Sequence, residues 1–472
     1  MCKITNTLRQ AVVGTALSGL ASVGCFAFEL EMGRVDVADT FVSPTTTRVT
    51  FIESFDSVPV VVSLPTTQGG DPSNLRISNV TTTGFDIVTT EPAANDGQHV
   101  AMNTAYLAIE PGGYRFSDGT QIQAYRLSTL NSVGRLTGTT WGSLSFIDAF
   151  PSPPAVLANL QTTRNETGNP PNTSATPFIA TAIRNVSNSG LELAIERAES
   201  TAGSITTSED IGVVAIADSA SVNFISSSNS PVLFQSTRSA DSITGFDNGC
   251  SSIGWPVAFS TVPLAVASMN SRDGNNGGWA RRCAESAAAL GLTVDEDIDN
   301  DSERSHTTER AGLAGADRAF HASFSAELQL TKVVQTVSDP ENGTTQPYAI
   351  PGATVQYALT LVNLGNGVAD ANSVRYRDTL PDNIALCVAA FCQDGGSVVL
   401  DDSATPTPTG VSLGAVRYSN NGGASFVYTP VPDADGFDPA VDAIEVVLDG
   451  TFAAISASGA PEVTVLYSAR VN

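Results

Sequence analysis

Two histidines recur at matching places in this chain, in surroundings suited to a polyhydroxyl ligand. His99 lies three residues before Met102 and His306 three before Glu309, each at the entrance to a closing strand; Thr206 stands at the corresponding place between them. A neutral imidazole there can hydrogen-bond a sugar hydroxyl while a nearby carboxylate accepts from others, and His306 has Glu303 and Glu309 at hand. The competing reading is that His306 and Glu309 pin a loop to its neighbouring strand. Arg76, in DPSNLRIS, offers a fork of donors to adjacent hydroxyls, and Asp71 in the same loop can accept from them. Trp279 sits in GGWARRC, where an exposed indole face could stack on sugar C–H groups, whereas Trp255 holds a repeated aromatic position and reads as core.

Carboxylates supply the second kind of candidate. Asp295, Asp297, Asp299 and Asp301 alternate in VDEDIDNDSE, so on a strand they would share one face and repel unless a cation or solvent intervenes. Calcium, with about six to eight oxygen ligands, is the candidate cation. Asp433, Asp435 and Asp438 form a second candidate set around Gly436. Neither run ends in the bidentate glutamate of an EF-hand, and a solvated acidic loop is the competing reading for both. Catalysis has little to stand on. HExxH, GxSxG and a phosphate-cradling glycine loop with lysine are all missing. A two-carboxylate glycosidase is the remote alternative, because acids are plentiful but nothing marks a pair. No cofactor is required by any of these readings.

The elements that must position these residues follow a threefold pattern. An aromatic, three residues, Phe, three residues and Pro recur as Phe51, Phe55, Pro59, then Phe146, Phe150, Pro154, then Trp255, Phe259, Pro263. Each copy leads into an apolar strand, VVVSLPTT, AVLANLQTT or LAVASMNS. A glycine and a second strand come next, at Gly84, Gly190 and Gly291. A small-residue strand closes each unit, at Ala105, Gly212 and Gly312. Repeats on the scale of about 100 residues are β-sandwiches with their own cores rather than thin solenoid turns. After residue 326, Val355, Tyr357, Leu359 and Leu361 alternate as in a half-buried strand, and ASFVYTPV, AIEVVLDGTF and EVTVLYSARV repeat that signal.

Bulk properties restrict the partners. The 472 residues carry a net charge of −25, with Lys3 and Lys332 the only lysines, so nucleic acid and anionic membranes are poor partners. Lys3, Arg9 and AVVGTALSGLASVG read as an export signal ending near Ala27, with lipid attachment at Cys25 as the alternative processing route. No transmembrane segment is expected in the mature chain, which is placed outside the cell or on a bacterial surface. Export allows disulfides, and the spacing pairs Cys250 with Cys283 and Cys387 with Cys392.

The first repeat, a Phe-containing strand entering PVVVSL, then NVTTTGFDIVTTE, then AYLAIE, resembles the H-type lectin domain over about residues 49–110. Asn185, Val186 and Gly190 keep the mutual spacing of Asn79, Val80 and Gly84, whereas the third repeat departs where GGWARRC replaces a polar loop. The resemblance implies a compact antiparallel sandwich, sugar binding by loop polar groups and an aromatic platform near a protomer boundary, and homo-oligomers such as trimers. Residues 326–472, with AIPGATVQYALTLVNLGNGVADANSV and RDTLPDNIAL, resemble the bacterial extracellular repeat domains of the DUF11 type. The expected architecture is all-β. A leader at 1–27 precedes lectin-like sandwiches at 28–140, 141–245 and 246–325, and an immunoglobulin-like sandwich at 326–472 ends the chain. The expected function is multivalent, non-catalytic binding of surface glycans; its rival is a structural spacer or scaffold in an envelope or pilus-associated assembly.

Overall fold

A computed structural model describes residues 3–8, 28–41, 46–167, 174–390, 392, 397–403, 408–456 and 458–472. The chain is almost entirely β, and the helical element among the described residues is a single 3-10 turn, Phe246–Asn248. None of the described helical structure is long and apolar enough to cross a membrane. Two compact units emerge, one of residues Phe28–Ala322 and one of Ser323–Asn472 with the strand Lys3–Leu8.

The repeated Phe-x3-Phe-x3-Pro motif closes one end of each core in the first unit. Phe51 and Phe55 meet edge to face at 4.9 Å, Phe146 and Phe150 at 5.1 Å, and Trp255 and Phe259 at 5.4 Å. The four-residue spacing also places both backbone N–H groups against one turn. Phe51 and Phe55 donate to the carbonyls of Thr83 and Thr82, Phe146 and Phe150 to Ser189 and Asn188, and Trp255 and Phe259 to Ala288 and Ala287. The proline then enters an edge strand, where its missing N–H costs nothing.

Behind each motif stand a four-stranded sheet and a facing sheet, of three strands in the first and third repeats and four in the second. The first four-stranded sheet runs Phe320–Ser323, Glu29–Val37, Met102–Ile109, Val60–Ser63. The second runs Gly112–Arg115, Gln121–Thr129, Glu209–Ile216, Ala155–Leu160, and the third Ala220–Ile225, Pro231–Arg238, Ala311–Ala316, Leu264–Met269. Three separate apolar clusters fill the spaces between facing sheets, one per repeat.

Two boundaries shift from their expected places. Gln121–Thr129 pairs with Glu209–Ile216, so the stretch after residue 111 belongs to the second sandwich rather than to a first repeat ending at 140. Pro231–Arg238 likewise pairs with Ala311–Ala316 of the third, not with a second repeat ending at 245. Each repeat therefore begins with a hairpin whose outer strand flanks its own sheet. Among the described residues the first repeat has no such hairpin of its own. Its flanking strand is Phe320–Ser323, from the far end of the third repeat, and that pairing closes the three sandwiches into a ring.

The glycine match in the third repeat also shifts. Ala289, not Gly291, pairs with Gly254 as Gly84 pairs with Thr50 and Gly190 with Ser145. Gly291 has another reason to lack a side chain. It lies under the Cys250–Cys283 disulfide, where a Cβ would come within 2.6 Å of the Cys250 sulfur. That disulfide staples the two outer strands, Ser251–Gly254 and Trp279–Glu285, across the central Ala289–Asp295. With the cysteines 33 positions apart, loop closure is worth about 3–4 kcal/mol in the chain-entropy model. The Cys250→Ser/Cys283→Ser double variant is expected to lose that much in a denaturant titration, and an unchanged midpoint would reject the estimate.

The second unit has its own two sheets. One contains Glu327–Ser338, Thr354–Asn363, Glu462–Val471, Ile384–Cys387 and Phe437–Asp438, with Val398–Asp401 also on Glu462–Val471; the other orders Arg375–Thr379, Ala443–Gly450, Val411–Ser419. Strict alternation along Thr354–Asn363 puts Val355, Tyr357, Leu359 and Leu361 into the core between them. Cys387 and Cys392 are joined, as the spacing predicts. Lys3–Leu8, expected in a leader, runs parallel to Glu327–Lys332 as an edge strand of this unit, and residues 9–27 lie outside the described residues.

Candidate functional site

The polar residues of the ring converge on three seams between sandwiches. Each seam faces the same physical problem. The strands Val60–Ser63, Ala155–Leu160 and Leu264–Met269 are sheet edges, with unpaired backbone groups that must be satisfied once buried. Side-chain amides of the following repeat do this. Gln161 accepts from Val61 N at 3.0 Å and donates to Val61 O at 2.7 Å, and Asn159 accepts from Ser63 N. Asn270 treats Val156 in the same way at 2.9 and 2.6 Å, and Ser268 accepts from Ala158 N. At the third seam the strand Trp279–Glu285 joins the first sandwich backbone to backbone instead, with Arg282 N donating to Pro65 O and Thr67 N to Arg282 O. A central cavity of about 30 Å³ remains where Ser63, Asn159 and Ser268 meet.

Buried arginines lock the same seams. Arg76 reaches from the first sandwich to Glu166 of the second, with Nε and Nη2 2.7–2.8 Å from the carboxylate and both side chains almost fully buried. Arg272 of the third sandwich pairs with Glu196 of the second at 2.6 Å. Arg281, at the register position of Arg76, pairs with Asp295 and donates to the carbonyls of Thr66 and Asp71 in the first sandwich. The Arg76 guanidinium also lies over the Phe178 ring at 4.8 Å, and Phe178 packs on Trp279.

These contacts relocate most of the residues singled out for sugar binding. Arg76, His99, Trp279, His306 and Glu309 are all buried, and Asp71 alone of that set is exposed. Trp279 is not an open platform, because its Nε1 donates to Ser73 O and its rings pack against Phe178. The two histidines do share a motif. Each Nδ1 donates to the next residue's carbonyl, Val100 O at 2.8 Å and Thr307 O at 2.7 Å. That leaves Nε2 of His99 to accept from Ser73 Oγ, and burial lowers its pKa. Glu309 is a loop clamp, accepting from Ser271 Oγ and from the N–H groups of Asp273 and Gly274. Glu209, its counterpart in the second sandwich, holds Thr162 and Asn165 in the same manner. The pinning reading of His306 and Glu309 is the one the contacts support.

The aspartates do not converge on a cation. Asp295 is taken by Arg281 and Arg304, Asp297 accepts from the N–H groups of Glu199 and Asp299, Asp299 from Ala94 N, and Asp301 pairs with Arg135. Asp433 and Asp435 pair with Arg470, and Asp433 and Asp438 also accept turn N–H groups, with Tyr428 Oη on Asp438. Among the described residues, no three His, Cys, Asp or Glu side chains are grouped to hold a metal ion.

Sequence reasoning gave no role to Glu166, Glu196, Gln161 or Asn270. The signal for Gln161 and Asn270 was present in LANLQTT and VASMNS, where an amide interrupts an otherwise apolar strand end. One open groove of about 190 Å³ remains on the first seam, lined by Ser78, Asn79, Gln161, Thr162, Thr163 and Arg164. Asn79 takes the left-handed conformation there, at φ 49°, and its exposed amide donates to Asp86 Oδ2 at 2.7 Å. Comparison of the chain with known protein families, with characterised proteins and with solved structures finds no match.

Proposed function

We propose that the ring binds glycans without catalysis, at the groove between the first and second sandwiches. The observation that carries this reading is the lining itself. Hydroxyls of Ser78 and Thr163, the exposed Asn79 amide and the Arg164 guanidinium offer donors and acceptors in the mixture that sugar hydroxyls require, over a floor of Gln161 and Thr162 that are held by Val61 and Glu209. Arg164 is anchored on Asp210 at 2.9 Å but stays half-exposed, so its remaining N–H groups can face a ligand. A surface-exported chain with multivalent glycan recognition is the setting this reading implies. The rival reading, a spacer without ligand, is favoured by the burial of Arg76, His99, Trp279 and His306 in seams, where they serve the assembly.

A glycan array probed with the full chain separates the two. Binding to at least one glycan class is expected, with Arg164→Ala and Thr163→Trp each weakening it tenfold or more, about 1.4 kcal/mol or above, while leaving the melting temperature within a few degrees. Binding that survives both substitutions places the site elsewhere. No binding to any glycan makes the spacer the better reading.

A further inference from the structure

Lys332 is the one lysine beyond residue 3, and among the described residues the other ion pairs use arginine or histidine. It is buried in the second unit, 6% exposed, on the strand Glu327–Ser338. Its Nζ lies 2.8 Å from Oδ1 and 2.7 Å from Oδ2 of Asp378, which is 1% exposed on Arg375–Thr379 in the other sheet. The pair thus spans the core from one sheet to the other. Tyr467 Oη donates to Oδ2, and the Tyr357 ring faces Nζ at 4.7 Å. Tyr357 and Tyr467 are stacked at 5.1 Å, forming an aromatic wall around the pair.

As a plain ion pair this arrangement gains little, because desolvating two charges offsets most of their attraction. As a pair of reactants it is well placed. An amine has a lone pair to give once deprotonated, which a guanidinium lacks in practice. We propose that Lys332 and Asp378 condense into an intramolecular isopeptide bond between the two sheets. The ammonium passes a proton to Oδ1, and the freed lone pair of Nζ attacks Cγ. Negative charge gathers on Oδ2, where the Tyr467 hydroxyl already points. The Cγ–Oδ1 bond then breaks as a second proton moves from nitrogen to the leaving oxygen. Overall –NH3+ and –COO− become –CO–NH– and one water, so atoms and charge balance with no further reactant. Contact between the reacting groups supplies the effective concentration, and the buried surroundings exclude the water that would reverse the step.

Mass spectrometry of the full chain tests this directly. After reduction and tryptic digestion, a branched species is expected in which residues 319–375, uncut after Lys332, are joined to residues 378–417 with the loss of about 18 Da, one water. Lys332→Arg keeps the charge but cannot condense, and its digest is expected to lack both the branch and the water loss. Wild-type chain cleaved after Lys332, with both peptides at full mass, overturns the proposal. A water loss that persists in Lys332→Arg also overturns it, since the loss then arises elsewhere.

Discussion

Glu166→Ala is expected to destabilise the ring by about 3–5 kcal/mol, the usual cost of leaving one member of a buried ion pair alone. Arg76 would keep its charge in a site where it is 1% exposed, with the Phe178 face in place of a counter-charge. The damage would fall on the first seam, whose other bonds, from Gln161 to Val61 and from Asn159 to Ser63, depend on the two sandwiches staying in register. Chemical denaturation with intrinsic fluorescence would follow the loss. The double variant Arg76→Met/Glu166→Leu is expected to recover a large part of it, because apolar side chains of similar bulk need no partner. A Glu166→Ala chain as stable as wild type would show that the pair is not a lock. A double variant no better than Glu166→Ala would show that shape, not charge, decides the seam.

Stability of the ring is also expected to fall steadily from about pH 5 to pH 9. Burial pushes the carboxyls of Glu91 up to about 7, Glu296 to about 8 and Asp297 to about 7. For Glu296 the charges of Glu303 and Glu199 add to that effect, and for Asp297 the N–H groups of Glu199 and Asp299 partly oppose it. The folded chain therefore holds protons that the unfolded chain releases above the ordinary carboxylate range, and each such group costs stability as pH rises through that interval. His321, on the ring-closing strand, works in the same direction. Burial alone would lower its pKa, but hydrogen bonds and charge from Glu29 and Glu31 raise it to about 9. Its contribution is complete below about 6.5 and lost as pH passes 9. Melting temperature should thus be higher at pH 5.5 than at pH 9.5, and His321→Gln should flatten the upper part of the curve. A profile that rises towards pH 9 would contradict both assignments.

Much of the fold was legible because it rests on local chemistry. Phe51, Phe55 and Pro59 and their two counterparts mark the same turn-capping geometry three times, and alternation in Thr354–Asn363 follows from the two-residue period of a strand. The cysteine pairs were legible from spacing and compartment. Boundaries were not, because Gln121–Thr129 and Pro231–Arg238 carry no mark of which neighbour they join; pairing is decided by partners 74 to 94 residues away. The site residues failed for a related reason. A polar side chain in a loop looks available until the partner repeat arrives, and Arg76, His99, Trp279 and His306 are all covered or coordinated by segments distant in sequence. His321 gave no sequence signal at all, since its carboxylate partners lie about 290 residues earlier on the strand that opens the ring.

Phe320–Ser323 completes the sheet that begins with Glu29–Val37, and the number three is thereby written into one polypeptide. Three separate chains making such a ring would part on dilution and would be bound by symmetry to use one set of contacts three times. A single chain escapes both constraints. It cannot lose a member at low concentration, and each junction is free to drift on its own. The three locks show that freedom: Arg76 on Glu166, Arg272 on Glu196, and Arg281 on bare carbonyls. A junction relieved of identity with its neighbours can give up packing for an open groove while the other two keep the assembly shut.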